Sequence, residues 1–387
     1  MIERVYELVG RPKIEIVLWD GTVTGGRETA VGQILIQQPG VLRRLFWNPS
    51  LAFGEAYSDG TLQIQGDLRA VLLEINRGLS LAPAMNRRRG LTRFTTSSHS
   101  LAKSKSSVQH HYDLGNDFYR LWLDEQMVYT CAYYPRAEAT LGEAQVAKLD
   151  YICRKLRLKP GERVAEAGCG WGALALHMAR HYGVSVQAYN LSIEQIQHAR
   201  QWAQREGLSD RVQFVQDDYR HLTGQFDAFV SVGMLEHVGL ENFRGMGRLM
   251  SRVLTPTGRG LIHSIGRNSA RPLDPWTDKY IFPGAHPPSL REMMDLFEDS
   301  GFSVLDVENL RLHYARTCAD WLDRFDRAAD QVAQMFDERF VRMWRLYLAS
   351  SSATFENGDL QLFQVVFTRA NNNTLPTTRT DWYAEPV

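Results

Sequence analysis

The stretch of this sequence best suited to ligand chemistry is Gly168-Cys169-Gly170-Trp171-Gly172, with Glu166 two residues ahead of it. Glycines at alternate positions let the chain turn tightly and bring its backbone close to a ligand, and a helix opening directly afterwards adds the partial positive charge of its N-terminus. The spacing is G-x-G-x-G, which differs from the G-x-G-x-x-G dinucleotide fingerprint. A hydride-transfer enzyme also wants a carboxylate closing the second strand to hold ribose hydroxyls. Here that place reads Tyr189-Asn190-Leu191-Ser192, without one. Asp218, ending the third strand in QDDY, is placed to accept a hydrogen bond from an adenine amino group, with Tyr219 beside it. On spacing alone an N-cap or surface carboxylate explains Asp218 equally well, and the glycines could be a structural turn.

The elements that must position these residues are legible as repeated strand–helix units. RVAEAG, VSVQAYNL, RVQFVQDDY, FDAFVSVG and GRGLIHSIG read as strands, and WGALALHMARHYG, SIEQIQHARQWAQREG and FRGMGRLMSRVL as helices. Such βα repeats imply an α/β fold, a Rossmann-like and mostly parallel sheet with helices on both faces. DLQLFQVVFTR is expected to add antiparallel, and the polar residues 371–387 to be a loose tail. Ahead of this lies a small α+β segment over 1–80, read from the alternation in IEIVLWDG and VGQILIQ, the helical VLRRLFW and SLAFGEAYSDG, and the strand-then-helix LQIQGDLRAVLLEIN. Residues 81–110 form a basic linker: no acidic residue occurs between Glu74 and Asp113, an interval that carries Arg77, Arg87, Arg88, Arg89, Arg93, Lys103 and Lys105. The expected layout is therefore 1–80 as a lid or lipid-docking domain, 81–110 as linker, 111–370 as catalytic domain and 371–387 as tail.

At 387 residues the chain has room for about two domains. Its 44 Lys plus Arg balance 44 Asp plus Glu, so mean charge gives no reason to expect nucleic acid. No run of 18 apolar residues and no basic-then-apolar leader is present, so no membrane span or signal peptide is expected. Cys131, Cys153, Cys169 and Cys318 are scattered, so neither a disulfide framework nor a metal site is expected and a reducing cytoplasm fits.

The E-x-G-x-G-x-G turn resembles motif I of class I S-adenosylmethionine-dependent methyltransferases. A longer set makes the resemblance specific: HHYDLGNDFYRLWLDEQMVYTCAYY (110–134), NLSIEQ (190–195), SVGMLEHVG (231–239), HSIG (263–266), DPWTDKYIFPG (274–284) and QLFQVVFTR (361–369). In order, these resemble the cyclopropane-fatty-acyl-phospholipid synthases and the related mycolic acid cyclopropane synthases over roughly 108–369, and 1–80 looks like the N-terminal domain of the phospholipid enzymes. The resemblance implies transfer of the sulfonium methyl of S-adenosylmethionine to a cis double bond of a phospholipid acyl chain, followed by proton loss and ring closure, with bicarbonate as the base. It places the bicarbonate contacts on Cys131, Glu236, His263, Ile265 and Tyr314, with Tyr112 near the reacting centre. Cofactor contacts fall on Tyr129, Thr130, Glu166, Gly168, Gly170, Leu191, Gln195, Asp218 and Tyr219. Glu166 stands where the family often has Asp, a conservative change, whereas Asn190 and Asp217 stand where it often has Thr and Gln, departures that bear on ribose and adenine contact and not on the reaction.

The chemistry explains the residue types. An isolated alkene is a weak nucleophile with no proton to lose beforehand, so geometry and a dry pocket must do the work. The cation left on the chain can be stabilised by aromatic faces, at about 0.5–2 kcal/mol each. Tyr112, Phe118, Tyr129, Tyr133, Trp171, Tyr280 and Tyr314 are the candidates, and the motifs single out Tyr112, Tyr129 and Tyr314. A bare Glu236 would repel an anion, so Glu236 and His263 are expected to share a proton network in which His263 donates. No covalent role is expected of Cys131, because the methyl donor is already activated. A methylene or methyl-branched product, a soluble-metabolite methyltransferase and a non-enzymatic lipid binder are the rivals. Access to a bilayer would be peripheral, at the inner face of the membrane, and a homodimer is compatible with work on a surface.

Overall fold

The computed structural model describes residues 2–26, 30–81 and 114–383. The chain forms two compact units, one of the described residues up to 81 with Arg271–Pro283 and Tyr314–Leu360, the other of residues 114–270, Gly284–His313 and 361–383. The expected catalytic domain over 111–370 is therefore interrupted twice.

In the first unit, β1 (Glu15–Leu18), β2 (Val23–Gly25), β3 (Gly32–Ile36) and β4 (Leu62–Gly66) form a sheet in the order β2-β1-β3-β4. Helices Pro39–Trp47 and Pro49–Ser58 each begin on proline, whose fixed φ suits a first helical turn. The interruptions pack here for a steric reason: a Cβ on Gly54 would lie 2.2 Å from the ring of Trp276, so glycine lets helix Pro275–Tyr280 approach. Helix Glu338–Asn357 is capped by Asp337 and ended by Gly358 in the left-handed conformation, and its Arg342 donates to the carbonyls of Tyr57 and Leu62.

In the second unit, β5 (Arg163–Ala167), β6 (Ser185–Asn190), β7 (Val212–Gln216), β8 (Phe226–Val232), β9 (Leu254–Gly266), β10 (Phe302–Asn309) and β11 (Gln361–Arg369) form a seven-stranded sheet. The order is β10-β11-β9-β8-β5-β6-β7, with β11 antiparallel between β9 and β10 and the pairs from β9 to β7 parallel. Helices Leu141–Lys155, Ala173–Tyr182 and Ile193–Arg205 supply one apolar layer, with Ile152, Leu174, Met178 and Ile196. Helix Phe243–Val253 supplies the opposite layer, with Phe243, Met246 and Met250. Both faces are covered, so β5 and β8 are buried along nearly their whole length. This is the mostly parallel α/β sheet, with helices on both faces, that the βα repeats imply.

The tail is not loose up to residue 383. Trp382 is buried, Arg157 pairs with Asp381 at 2.6 Å, and Arg154 donates to the Trp382 carbonyl at 2.7 Å. A polar composition hid one anchoring tryptophan. Among the described residues no helix is long and apolar enough to cross a membrane.

The chain runs β5, β6, β7 to one side and returns through β8 on the other, so the carboxyl ends of β5 and β8 flank the crevice where open α/β sheets bind ligands. Gly172, at φ +95°, starts the helix after β5, and a Cβ there would lie 2.7 Å from Phe214 Cζ and 2.9 Å from Ala199 Cβ. Gly172→Ala is accordingly expected to lose about 1–3 kcal/mol of stability from strain and overlap. Urea unfolding of the two proteins checks this.

Candidate active site

At the carboxyl end of β5, the amides of Gly168 and Cys169 both donate to the Tyr189 carbonyl, at 2.9 and 3.1 Å, tying the glycine turn to β6. Asn190 donates to the Gly170 carbonyl at 3.2 Å and to Gln195 Oε1 at 2.7 Å. A Cβ on Gly170 would meet nothing within 4 Å, so the turn leaves open space there. The adjoining cavity is lined by Tyr129, Thr130, Glu166, Gly168, Gly170 and Gln195, six of the expected cofactor residues. Leu191, Asp218 and Tyr219 are not among its lining residues. Asp218 instead caps a short turn, accepting from the Arg220 amide at 2.9 Å and from both sides of the Arg220 guanidinium at 2.8 Å. Tyr219 is buried, which pushes its phenol pKa up.

The lining also includes Lys148, Trp171, Asn190 and His237, which sequence reasoning did not assign to the cofactor. Trp171 donates to Asn116 Oδ1 at 2.7 Å and packs on Tyr119. Lys148 is buried and donates to Thr130 Oγ1 at 2.8 Å. Its signal was positional: in LGEAQVAKLDYICRK it shares the buried helical stripe of Leu141, Ala144, Leu149 and Ile152. Burial lowers the Lys148 ammonium to about 8 and raises the Glu166 carboxyl to about 8, against the downward pull of Lys148 on Glu166. Glu166 Oε2 is buried without a hydrogen-bond partner.

A second cluster forms where β8 meets β9. Val232 stands opposite His263, and the next amide, of Gly233, donates to the His263 carbonyl at 2.8 Å. The short turn Leu235–His237 then returns Glu236, whose Oε1 accepts from the Ile265 amide at 2.6 Å. The His286 amide donates to the Glu236 carbonyl at 2.7 Å. Glu236 Oε2 and His263 Nε2 are both buried with no hydrogen-bond partner. Cys131 is fully buried, with its thiol directed to the carbonyls of Ala132 at 3.2 Å and Leu310 at 3.9 Å. Lys148 links the clusters electrostatically, since its charge acts on Cys131, Glu166 and His263. Tyr314 belongs to the first unit, where its ring stacks on Phe355 at 4.4 Å. Tyr112 lies outside the described residues, as does most of the basic linker.

Residues 99–365 match the family model described as mycolic acid cyclopropane synthetase, and residues 5–79 match a domain of unknown function. The chain is 38% identical over 355 residues to the cyclopropane-fatty-acyl-phospholipid synthase of Escherichia coli K12, covering 91% of each chain. It is 34% identical over 381 residues to a probable fatty acid methyltransferase of Pseudomonas putida, covering 96% of each. The solved mycolic acid cyclopropane synthase CmaA1, complexed with SAH and CTAB, superposes with a TM-score of 0.65 at 30% identity, covering 68% of this chain and 98% of that one. The chain belongs to the mycolic acid cyclopropane synthetase family. As a member of that family it is an S-adenosylmethionine-dependent methyltransferase of the cyclopropane-synthase type.

In this family member, burial sets the protonation of the second cluster. It raises the Glu236 carboxyl to about 7, although the Ile265 amide pulls it down, and it holds His263 well below the ordinary imidazole value, helped by Lys148 and Lys155. At neutral pH His263 is therefore uncharged and Glu236 exchanges a proton readily. From the ordinary carboxyl value of 4.5 up to about 7, the folded chain keeps a proton on Glu236 that the unfolded chain releases, so stability falls as pH rises through that window. For His263 the sign is opposite, and stability is lost as pH falls below about 6.5. Glu236→Gln keeps an acceptor for the Ile265 amide and removes the first dependence. Its stability relative to the parent should climb between pH 5 and pH 8, by on the order of 3 kcal/mol. Urea unfolding at both pH values measures this, and a constant difference would mean that Glu236 is already ionised when folded.

Proposed function

We propose that this enzyme transfers the methyl group of S-adenosylmethionine to a cis double bond of an unsaturated phospholipid acyl chain and closes a cyclopropane ring. The observation that carries the reading is the pair of unpartnered, buried polar atoms, Glu236 Oε2 and His263 Nε2, in a unit that also holds the glycine-turn cavity. Buried polar groups are nearly always satisfied, so two such orphans, one on β9 at His263 and one on the carboxylate held by the Ile265 amide, point to a small polar ligand. Bicarbonate fits the donor set, because it offers one hydroxyl to donate and oxygens to accept. Glu236 would take the hydroxyl and His263 would donate to an oxygen, with Cys131 and Ile265 as further contacts. The Ile265 amide is already given to Glu236, so its share in holding an anion is indirect. Bound there, bicarbonate would supply the base for the proton released on ring closure.

The cavity residues divide the remaining work. Tyr129, Thr130, Gly168, Gly170 and Gln195 would hold the cofactor, and the unpartnered Glu166 oxygen suits its ammonium group. Leu191, Asp218 and Tyr219 would act at its adenosine end, Asp218 only by releasing Arg220. Tyr129 would face the cation on the acyl chain, and burial of Cys131, Glu236 and His263 keeps water from it. Methyl transfer to the alkene followed by loss of one proton adds a single CH2 to the chain. The likeness to a probable fatty acid methyltransferase supports a second product, a mid-chain methylene, which has the same added mass without the ring. A saturated methyl branch would need a hydride donor in addition.

Contact with the bilayer would be peripheral and at the cytoplasmic inner face. It would use the basic linker together with the end of helix Pro39–Trp47, where Trp47 is 85% exposed beside Phe46 and Arg43. Trp at the lipid–water boundary and cations near anionic headgroups are both favourable. A homodimer suits the same task.

Incubation with S-adenosylmethionine and unsaturated phospholipid vesicles should add one CH2 per acyl chain, with a ring signature on mass analysis. Methylation of soluble acceptors alone would overturn the reading. Glu236→Gln should reduce turnover by on the order of 100-fold, as expected for a lost proton-transfer partner. Wild-type turnover across bicarbonate concentrations would refute its role. Replacing Arg87, Arg88, Arg89 and Arg93 by Gln, or Trp47 by Ala, should weaken sedimentation with anionic vesicles at low salt, and unchanged sedimentation would remove that surface from the proposal.

A further inference from the structure

A row of polar side chains crosses the sheet beside His263 and ends at the half-buried Glu308. On β10 Glu308 stands opposite Gln364 of β11, and Gln364 stands opposite His263 of β9. Residues directly opposite across strands share a face, so the three side chains line up. Lys155, the last residue of helix Leu141–Lys155, meets this row with its side chain wholly buried. It donates to Gln364 Oε1 at 2.7 Å and to the Glu308 carboxylate, which also accepts from Tyr151 Oη at 2.9 Å. The Lys155 ammonium sits 4.4 Å from the centroid of the Tyr151 ring. The amide nitrogen of Gln364 is 3.0 Å from His263 Nδ1.

The donor inventory fixes the direction of every bond. An ammonium has donors only, so the amide oxygen of Gln364 must face Lys155 and its NH2 must face His263. An NH2 group cannot accept, so Nδ1 of His263 must be the acceptor, and the single proton of a neutral imidazole then resides on Nε2. Nε2 is the atom left buried without a partner.

We infer that Gln364, oriented by Lys155, is a positioning residue that locks His263 in the tautomer carrying its proton on Nε2, so that the ring presents a donor to an anionic ligand. The inference rests on the proposed function only for the identity of that ligand. The tautomer is a property of this chain by itself. Were Nδ1 free to take the proton, Nε2 would turn a lone pair toward the anion, and the contact would become repulsive. Glu308 holds Lys155 in place, and the ammonium it retains keeps the amide from flipping.

Gln364→Glu is the direct test because the shape is kept and the hydrogen-bond sense is inverted. A carboxylate accepts from Lys155 and also from Nδ1–H, which draws the proton off Nε2. Gln364→Met, which neither donates nor accepts at that place and adds no charge, serves should the glutamate variant fail to fold. The full chain labelled with 15N-histidine is examined at pH 7 by long-range 1H–15N correlation, with a His263→Gln protein identifying the His263 signals. The parent is expected to carry the proton on Nε2, the Glu variant on Nδ1, and the Met variant to show both forms. A parent with the proton on Nδ1, or variants with an unchanged tautomer, would overturn the inference.

Activity gives the second readout. With the glutamate or methionine variant, the bicarbonate concentration for half-maximal turnover should rise about tenfold or more, the scale of a lost orienting partner. The KM for S-adenosylmethionine should stay within about twofold, since a general packing defect would move both. An inverted tautomer with unchanged bicarbonate dependence would overturn the donor role. A parent enzyme indifferent to bicarbonate would count against the function proposed above, while the spectra would still decide the tautomer.

Discussion

Strand β9 is paired along His263 by two different neighbours, and the chemistry of the second cluster follows from that junction. On one side the parallel partner β8 ends opposite His263, and the chain must then turn back, which returns Glu236 to the Ile265 amide. On the other side the antiparallel partner β11 sets Gln364 against the imidazole. A slip of one residue in either register would move a whole strand's side chains to the opposite face. The site therefore depends less on loop conformation than on ladder pairing in the middle of a sheet. Rigid elements hold proton carriers to a fixed geometry more closely than loops do.

Such a site is costly to fold. Lys148, Lys155, Glu166, Glu236 and His263 are all buried, and each charged form resists leaving water. The chain meets this in two ways. Lys155 is held by Glu308, by the Gln364 carbonyl and by the Tyr151 ring, which offset part of the downward pull of its burial. Glu166, Glu236 and His263 lack full compensation, and their protonation shifts toward the neutral form instead. Groups of the second kind are the ones expected where ligands complete the hydrogen bonding.

Much of this was legible beforehand, and the exceptions share a cause. The βα repeats, the turn at Gly168–Gly172 and the antiparallel β11 follow from local patterns of apolar residues and glycines. Glu236 and His263 belong to motifs that end the adjacent strands β8 and β9. Gln364 lay inside a quoted motif without a role, since nothing in QLFQVVFTR reveals that its neighbours across the ladder are an imidazole and a glutamate. Asp218 was placed by strand order alone, and the nearby Arg220 that occupies it is a side-chain contact no periodicity encodes. The segments 271–283 and 314–360 are helical stretches whose partners lie more than 200 residues earlier in the chain, so their grouping with the first unit depended on pairings such as Gly54 with Trp276.

Lys148 raises an apparent conflict with the cofactor, because a sulfonium should avoid an ammonium. Burial resolves it. The same desolvation that lowers Lys148 raises Glu166, and the two groups feel each other's charge. Each is thereby drawn toward its uncharged form, and where both ionise each offsets the other. The cavity wall thus opposes a cationic donor less than a lysine of ordinary basicity would, while Lys148 holds the Thr130 hydroxyl. A pocket lined by an ionised, unpaired carboxylate would bind the sulfonium's ground state more strongly and so oppose departure of its methyl group, whereas a Glu166 carboxyl pushed up by burial leaves the positive charge free to pass to the acyl chain as the methyl moves.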